Sequence, residues 1–477
     1  MKIALATDLY HPMINGVAVF TWNLAQGLVQ RGHEVTVVAP SLTGEPTVEE
    51  DAGVRVVRLS STKMPFYPDQ VTEAKAALEF RGRRLPPFVY KNGIHVSWRP
   101  YSEIKAAFDD FRPDVVHNQT VGPVSIAILR YCRNRDVALV TTGHAYPDNI
   151  TGQVALPRSL KRPIDEVVRR YFVHFLTHSE YVTMPTEYAI VDIALKGREK
   201  DFAVPIKAIS NGIDLAEFSP GPATPETYGQ FGLPPDRPLV GIVGRIDREK
   251  SMDVLLRAFR RVADFVPDVF FAIAGDGRDR DRLESLADEL VLGPRLRWLG
   301  RVDRAELPDL YRAFHVFATT SETETQGIVI MEAMATGLPV VGVTAGALED
   351  IVKDGRNGYA VPPRNPEATA AAITRLLQDR SLRETFGAAS LEIVAKHNLD
   401  DVLGEFEDIY RQVLANRRTE SGQTGSSDSA TPDQAGSPGS ATPDQAGSTD
   451  SATPDQAGSP DSATPDQTGS TDSSDAA

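Results

Sequence analysis

Two acids eight positions apart, Glu324 and Glu332, lie in one stretch, residues 315–343, that reads as a strand, a loop, a helix and a strand. Val316 to Ala318 is a short apolar run, as in a buried strand. Thr319 to Gln326 is polar and ends at Gly327. Ile328 to Thr336 then reads as a helix stopped by Gly337 and Pro339, and Leu338 to Val343 as the next strand. This helix is apolar on every face except at Glu332. A buried carboxylate is costly without a donor, so Glu332 needs a partner. Glu324 faces the helix N-terminus, where free backbone N–H groups and the positive dipole end suit a phosphate. One unit thus supplies a phosphate seat, an acid able to accept from a ribose diol, and a loop acid able to reach a sugar. The alternative is a buried helix whose glutamate makes a structural hydrogen bond.

A second group is cationic. The apolar run Leu239–Val243 leads into Gly244-Arg245, and Lys250 follows five positions later. Two cations near a strand's end can neutralise a diphosphate and stabilise it as it leaves; the alternative is ordinary surface charge. In the first half, Gly16 follows the first strand, where a glycine lets backbone approach a ligand or merely turns. His144 follows the run Val137–Thr142, at a strand end where substrates bind. His117 also ends a strand, and there a core histidine is the better reading.

The elements needed to place these residues form two α/β series. Lys2–Thr7, helix Val17–Arg31 and Glu34–Ala39 open a βαβ unit, which argues for a doubly wound sheet with ligands at its carboxyl edge. Asp114–His117 and Ile206–Ser210 continue it. Ser219–Pro238 is rich in Pro and Gly and reads as a linker. Leu239–Val243, Val269–Ala274 with the turn Gly275-Asp276-Gly277, and Leu296–Gly300 start the second series, and a helix over Glu306–Phe314 leads to the Glu324 unit. Asp401–Asn416 is expected to be the last helix.

Residues 61–100 break the rhythm. Gln70–Phe80 is expected to be helical. Arg81, Arg83, Arg84 and Lys91 then share one short segment with Leu85, Phe88 and Tyr90. That mixture suits an anionic lipid surface, at about 1 kcal/mol per cation, or a solvated loop. Leu156–His178, with Lys161, Arg162, Arg169 and Arg170 among Val, Tyr and Phe, reads as an amphipathic helix, the alternative being a second surface-binding element.

At 477 residues the chain has room for two domains. No window is long and apolar enough for a membrane span, the N-terminal apolar run is too short for a signal peptide, and Cys132 has no partner cysteine; a cytoplasmic setting is expected. Net charge is −15, of which nine Asp after Ser421 supply −9, so the body carries −6 and no signature of nucleic-acid binding. Ser429-Ala-Thr-Pro-Asp-Gln-Ala-Gly-Ser recurs from Ser440, Ser451 and Ser462. With no Leu, Ile, Val or aromatic residue, these repeats cannot bury a core, and residues 419–477 are expected to be a disordered tail without catalytic work.

Ser-Glu-Thr-Glu-Thr-Gln-Gly-Ile-Val-Ile-Met-Glu-Ala-Met-Ala-Thr-Gly-Leu-Pro-Val-Val resembles the donor-site signature of family 4 glycosyltransferases, retaining enzymes of the GT-B fold. Asn15-Gly16, His144 in its Thr-x-His context, Asn211-Gly212-Ile213-Asp214 and Gly244-Arg245 with Lys250 fit the family in order, over about residues 1–415. The resemblance implies two doubly wound Rossmann-like domains facing a central cleft: an acceptor domain over 1–218, onto which helix 401–416 returns, and a nucleotide-sugar domain over 219–400. It implies that Gly16, Gly244, Arg245, Lys250, Glu324, Gly327, Ile328 and Glu332 bind the donor, and that His144, Arg245, Lys250 and Glu324 serve catalysis. It implies retaining hexose transfer from a nucleotide-diphosphate sugar, with no cofactor and no obligatory metal, since no Asp-x-Asp motif stands in a donor loop.

The Glu-Thr-Gln-Gly-Ile-Val-Ile-Met-Glu context looks most like diacylglycerol and phosphatidylinositol glycosyltransferases, so a membrane glycerolipid acceptor and peripheral membrane attachment are expected. Gly143-His144-Ala145-Tyr146 departs from the His-Thr pattern of the diacylglycerol enzymes. A soluble sugar phosphate or thiol precursor is the second acceptor reading. A nucleotide-sugar 2-epimerase and a non-catalytic sugar-nucleotide sensor are the rivals from other classes.

Overall fold

Apolar runs alternating with amphipathic helices build two sheets, each covered on both faces. The computed structural model describes residues 1–13, 15–63, 95–144, 158–191 and 202–424. For residues 158–162 and 420–424, and for the short strands Gln70–Thr72, Glu79–Phe80, Arg83–Arg84 and Tyr90–Asn92, it describes backbone alone.

In space the first sheet runs Ile206–Ala208, Tyr181–Met184, Ala138–Thr142, Val115–Asn118, Lys2–Ala6, Glu34–Pro40, Val54–Leu59 and Thr47–Asp51. Its strands are parallel except Thr47–Asp51, which runs antiparallel to Val54–Leu59. That edge strand exposes Glu49 and Glu50, charges that discourage pairing with another chain. The second sheet runs Leu296–Gly300, Phe270–Ala274, Leu239–Val243, Val316–Ala318, Val340–Val343 and Gly358–Val361, all parallel.

The strand order reverses beside the first strand of each sheet. In the first sheet this happens between Lys2–Ala6 and Val115–Asn118, and in the second between Leu239–Val243 and Val316–Ala318. Crevices at such reversals, outside the carboxyl ends of the strands, are where open α/β sheets bind ligands. The loops after these four strands carry most of the residues the sequence singles out.

Both faces of the first sheet are sealed by apolar side chains. Ile104, Phe108 and Ile128 pack on one face with Ala4 and Val116. On the other, Phe20, Leu24 and Leu28 meet Ile3, Leu5 and Val37. The last helix, Leu399–Thr424, returns to this second face and buries Leu403, Phe406 and Tyr410 there. Each such side chain contributes roughly 1.5–3 kcal/mol. The helix approaches closely because Gly27 has no Cβ, which would overlap the Leu403 side chain. Glu407 receives Arg31 at 3.1 Å and His33 at 2.6 Å, and Arg417 pairs with Glu180 and Asp136.

Three expectations need correction. Gln70–Phe80 is not a single helix: Gln70–Thr72 pairs with Tyr90–Asn92, and Glu79–Phe80 with Arg83–Arg84. The β-branched Val71 and Thr72 and the aromatic Phe80 favour extended backbone at those ends; residues 73–78, and the side chains of the basic run Arg81–Lys91, lie outside the described residues. The stretch Ser219–Pro238 holds a helix, Pro225–Phe231. Thr224 caps it, Pro225 occupies its first turn and Gly232 closes it, a start and stop pattern that composition alone hides. The C-terminal helix, Leu399–Thr424, is longer than expected at both ends; no Pro stops it, and it runs through Gly404 and Gly422. The repeats beyond it, and residues 145–157, which follow His144, lie outside the described residues. Among the described residues no helix is long and apolar enough to cross a membrane.

Candidate active site

The loops at the reversal of the second sheet are laced to each other. Thr320 Oγ1 donates to the Ser251 carbonyl at 2.8 Å, and Lys250 Nζ donates to Glu324 Oε1 at 2.7 Å. The Lys250 and Glu324 side chains are only 16% and 15% exposed. Burial pushes the Glu324 carboxyl up, but the Lys250 ammonium beside it, with Arg245 near, outweighs this and holds it below its ordinary value. Glu324 is therefore ionised at neutral pH. Arg245, more exposed, pairs with Asp247 and Glu249 of its own loop. At Gly244, which ends the strand, no atom lies within 4 Å of where a Cβ would stand, so this side of the loop is open.

Gly327 takes φ +77°, a left-handed turn that a side chain would strain. It opens the helix Ile328–Ala335, whose N-terminus has no side-chain cap. Uncapped N–H groups and the helix dipole there favour an anion. Facing it from the other half is the start of the helix Gly16–Gln30. Asn15 caps that helix by accepting from Ala18 N–H at 2.9 Å. A Cβ built on Gly16 would lie 3.5 Å from Ile328 Cδ1. The structure thus brings Gly16, Gly327 and Ile328 together from opposite halves; Ile14 lies outside the described residues.

Glu332 is 2% exposed and already partnered. Tyr311 Oη donates to it at 2.9 Å and Arg304 at 3.3 Å, while Arg304 also pairs with Glu217 at 3.1 Å. Burial pushes the Glu332 carboxyl above its ordinary value against the pull of Arg304 and Tyr311. The structural alternative weighed from the sequence is realised in this much: two donors hold the acid. A carboxylate has about four acceptor positions, so capacity for a diol remains. Sequence reasoning missed both donors. Arg304 follows the strand Leu296–Gly300 and so stands on the carboxyl edge, a usable signal. Tyr311 lies 21 residues before its acid inside an apolar helix, and nothing local marks it.

His144 follows the strand Ala138–Thr142 and is 7% exposed. Its Nε2 donates to Gln119 Oε1 at 3.0 Å and its ring stands 4.9 Å from that of Phe20. Burial pushes its pKa down to about 3, so it is neutral and cannot carry charge for a leaving group. His117 lies deeper, bonded to Tyr410 Oη and Thr142 Oγ1, both at 2.7 Å, and burial takes it to about 3 as well. Along this edge Asn118 Oδ1, Gln119 Nε2 and Asn211 Oδ1 are buried without a hydrogen-bond partner among the described residues. No cluster of three or more potential metal ligands occurs among the described residues.

Two family models match the chain: "Glycosyltransferase Family 4" over residues 14–217 and "Glycosyl transferases group 1" over residues 224–392. A sulfoquinovosyl transferase from Arabidopsis thaliana is 29% identical over 385 residues, covering 79% of this chain and 66% of its own. The chain thus spans a little under two-thirds of that relative's length. An alpha-monoglucosyldiacylglycerol synthase from Acholeplasma laidlawii is 29% identical over 371 residues, 75% of this chain and 84% of its own. Among solved structures, a sucrose-phosphate synthase from Thermosynechococcus elongatus superposes with a TM-score of 0.69 at 25% identity, over 87% of this chain and 99% of that one.

Proposed function

Because the chain belongs to the family 4 glycosyltransferases and has their GT-B fold, we propose that it moves a hexose from a nucleotide-diphosphate sugar to a membrane glycerolipid such as diacylglycerol, with retention at the anomeric carbon. One observation carries the donor half of this reading. The buried Lys250–Glu324 pair, Arg245, and the uncapped N-terminus of Ile328–Ala335 converge where the second sheet reverses, across from Gly16. That is a seat for two phosphates with a carboxylate beside it for sugar hydroxyls.

The chemistry proposed is the one the family resemblance implies. The bond from the anomeric carbon to the β-phosphate oxygen breaks as the acceptor oxygen bonds the same face. The acceptor's proton passes to the departing phosphate oxygen. Arg245, Lys250 and the helix N-terminus stabilise the charge that develops there. Glu324, ionised and paired with Lys250, orients the sugar, and Glu332 accepts from the ribose. His144, neutral, offers one hydrogen-bonding nitrogen between donor and acceptor and no charge. In this mechanism two cations and a dipole do the work a divalent ion does elsewhere, so turnover in excess chelator is expected to match turnover without it.

The acceptor half rests on two supports. Relatives aligned over three-quarters or more of this chain include one whose name is that of a diacylglycerol glycoside synthase. Arg81, Arg83, Arg84 and Lys91 flank Leu85, Phe88 and Tyr90 and suit an anionic leaflet, so attachment would be peripheral and salt-sensitive. The test is nucleotide-sugar turnover by the purified protein with and without diacylglycerol in anionic vesicles. Turnover that requires the vesicles, and falls when the three arginines become Ser, supports the reading. Turnover with a sugar phosphate instead moves the acceptor to the soluble class, and release or epimerisation of the sugar without any acceptor removes transfer altogether.

A further inference from the structure

Between the loop acid Glu324 and the helix Ile328–Ala335 lies a residue with no assigned role. Gln326 is 1% exposed, two positions after Glu324 and next to Gly327. Its partners belong to the other half. Asn211 N–H donates to its Oε1 at 3.0 Å, and its Nε2 donates to Ser210 Oγ at 2.6 Å. Ser210 and Asn211 stand just beyond Ile206–Ala208, at the carboxyl edge of the first sheet. A second tie lies beside it, from Thr186 Oγ1 to the Thr325 carbonyl at 3.2 Å. Thr186 follows another strand of that sheet, Tyr181–Met184.

We propose that Gln326 is a positioning residue for transfer, fixing the loop of Glu324 and the N-terminus of Ile328–Ala335 in register with the acceptor-side edge of the first sheet. The inference rests on the reading above, in which the two halves hold donor and acceptor. Both ends of one planar amide are used, one accepting and one donating, so the bond pair fixes orientation as well as distance. Neither Ser, Asn nor Gln reaches substrate through these bonds. What they set is the offset between Gly16 and Ile328, which face each other so closely that a Cβ on Gly16 would reach van der Waals contact with the Ile328 side chain, and between His144 and the anomeric carbon. The donor itself is gripped mainly from the second half, by Arg245, Lys250, Glu324 and Glu332, with Gly16 the one named donor residue on the first. Loosening the register should therefore leave donor binding in place and slow transfer, because misplacement by about 1 Å can cost on the order of a hundredfold in rate.

The experiment uses Gln326→Leu in the full chain, with Ser210→Ala as a milder variant that leaves the glutamine packed. Expected for Gln326→Leu is a fall in kcat of about tenfold or more, a donor Kd within about threefold of wild type, and loss of hydrogen-exchange protection at the Asn211 amide. Ser210→Ala should shift kcat the same way by less. An unchanged kcat with Asn211 exposed to exchange would overturn the proposal, since the tie would then be broken without consequence. A parallel fall of kcat, donor affinity and melting temperature would also overturn it, reducing Gln326 to a structural residue. If the wild-type enzyme transfers nothing to any acceptor, the functional reading fails instead, and the exchange measurement still reports on the tie.

Discussion

The carboxyl edges of the two sheets are chemically unlike. The second gathers charge: Arg245, Lys250, Glu324, Arg304 and Glu332, each already paired. The first is mainly neutral: His117 and His144 are held uncharged by burial, burial pushes the Asp8 carboxyl up, and Asn118, Gln119 and Asn211 carry hydrogen-bonding atoms unmet among the described residues. An anionic diphosphate leaving group needs the charged surface and an uncharged hydroxyl acceptor the neutral one. The difference teaches that the halves should fail differently when altered: the second in rate and donor affinity, the first in response to acid.

The largest expected effect is at Lys250. Lys250→Met should lower kcat by about a hundredfold or more. It should also destabilise the fold by about 3–5 kcal/mol, because Glu324 is left buried without its cation. Adding Glu324→Gln should recover much of the melting temperature and none of the rate. Wild-type turnover in the single variant would end the diphosphate assignment, and the comparison with it. Next is Glu332→Gln, which keeps shape and removes charge-assisted bonds of about 1.5–3 kcal/mol each. Donor Kd should rise about tenfold. In wild type, Glu332's raised pKa means that lowering the pH should weaken donor binding earlier than an ordinary carboxyl would, and the variant should lose that dependence. Calorimetric titration that finds equal affinity in both proteins at neutral pH leaves the acid a purely structural partner of Arg304 and Tyr311.

The acid response of the first half is smaller and concerns stability. His117 and His144 accept protons near the ordinary value of 6.5 when unfolded but only near 3 when folded. Between those values the unfolded chain binds more protons. Unfolding free energy should therefore drop as pH falls below 6.5, by up to about 1.4 kcal/mol per pH unit for each histidine. Urea titrations at pH 7, 6 and 5 would show it, and His144→Gln should remove about half the slope; a slope unchanged by that substitution contradicts the assignment. Smallest of all is the tail. Ending the chain after Arg418 keeps the Arg417 anchor and should leave kcat and melting temperature nearly as they were, because the repeats have nothing to bury. A large loss of either would mean that the tail folds onto the enzyme.

What the sequence made legible was whatever depends on neighbours along the chain. Gly327 and Gly337 bracket the helix where expected, and the strand Leu239–Val243 ends at Gly244 with both cations following. The need of Glu332 for a donor was readable from its apolar helix, but the donors' identities were not. Arg304 and Tyr311 reach it from 28 and 21 residues away, through packing that no spacing encodes. Gln326 was passed over for a similar reason: a glutamine in a polar loop looks solvated until another domain covers it. In Gln70–Phe80, helix-forming residues in the middle outweighed the β-branched and aromatic ends on a local reading, while pairing with the distant Tyr90–Asn92 decided the first end and a tight hairpin with Arg83–Arg84 the second.

The return of Leu399–Thr424 to the first sheet also has a consequence for how the protein is made. Leu403, Phe406 and Tyr410 complete a core begun by Ile3, Leu5 and Phe20, so the half translated first is finished last. While the second half is being synthesised, the emerging first half must hold an unfilled apolar face, and the side of His117 that meets Tyr410 stays open. Domains generally fold in order of synthesis, but here that order cannot close the first one. Nascent chains arrested before Leu399 should therefore be the aggregation-prone species, and a chaperone that shields that face would act on this half and not on the second.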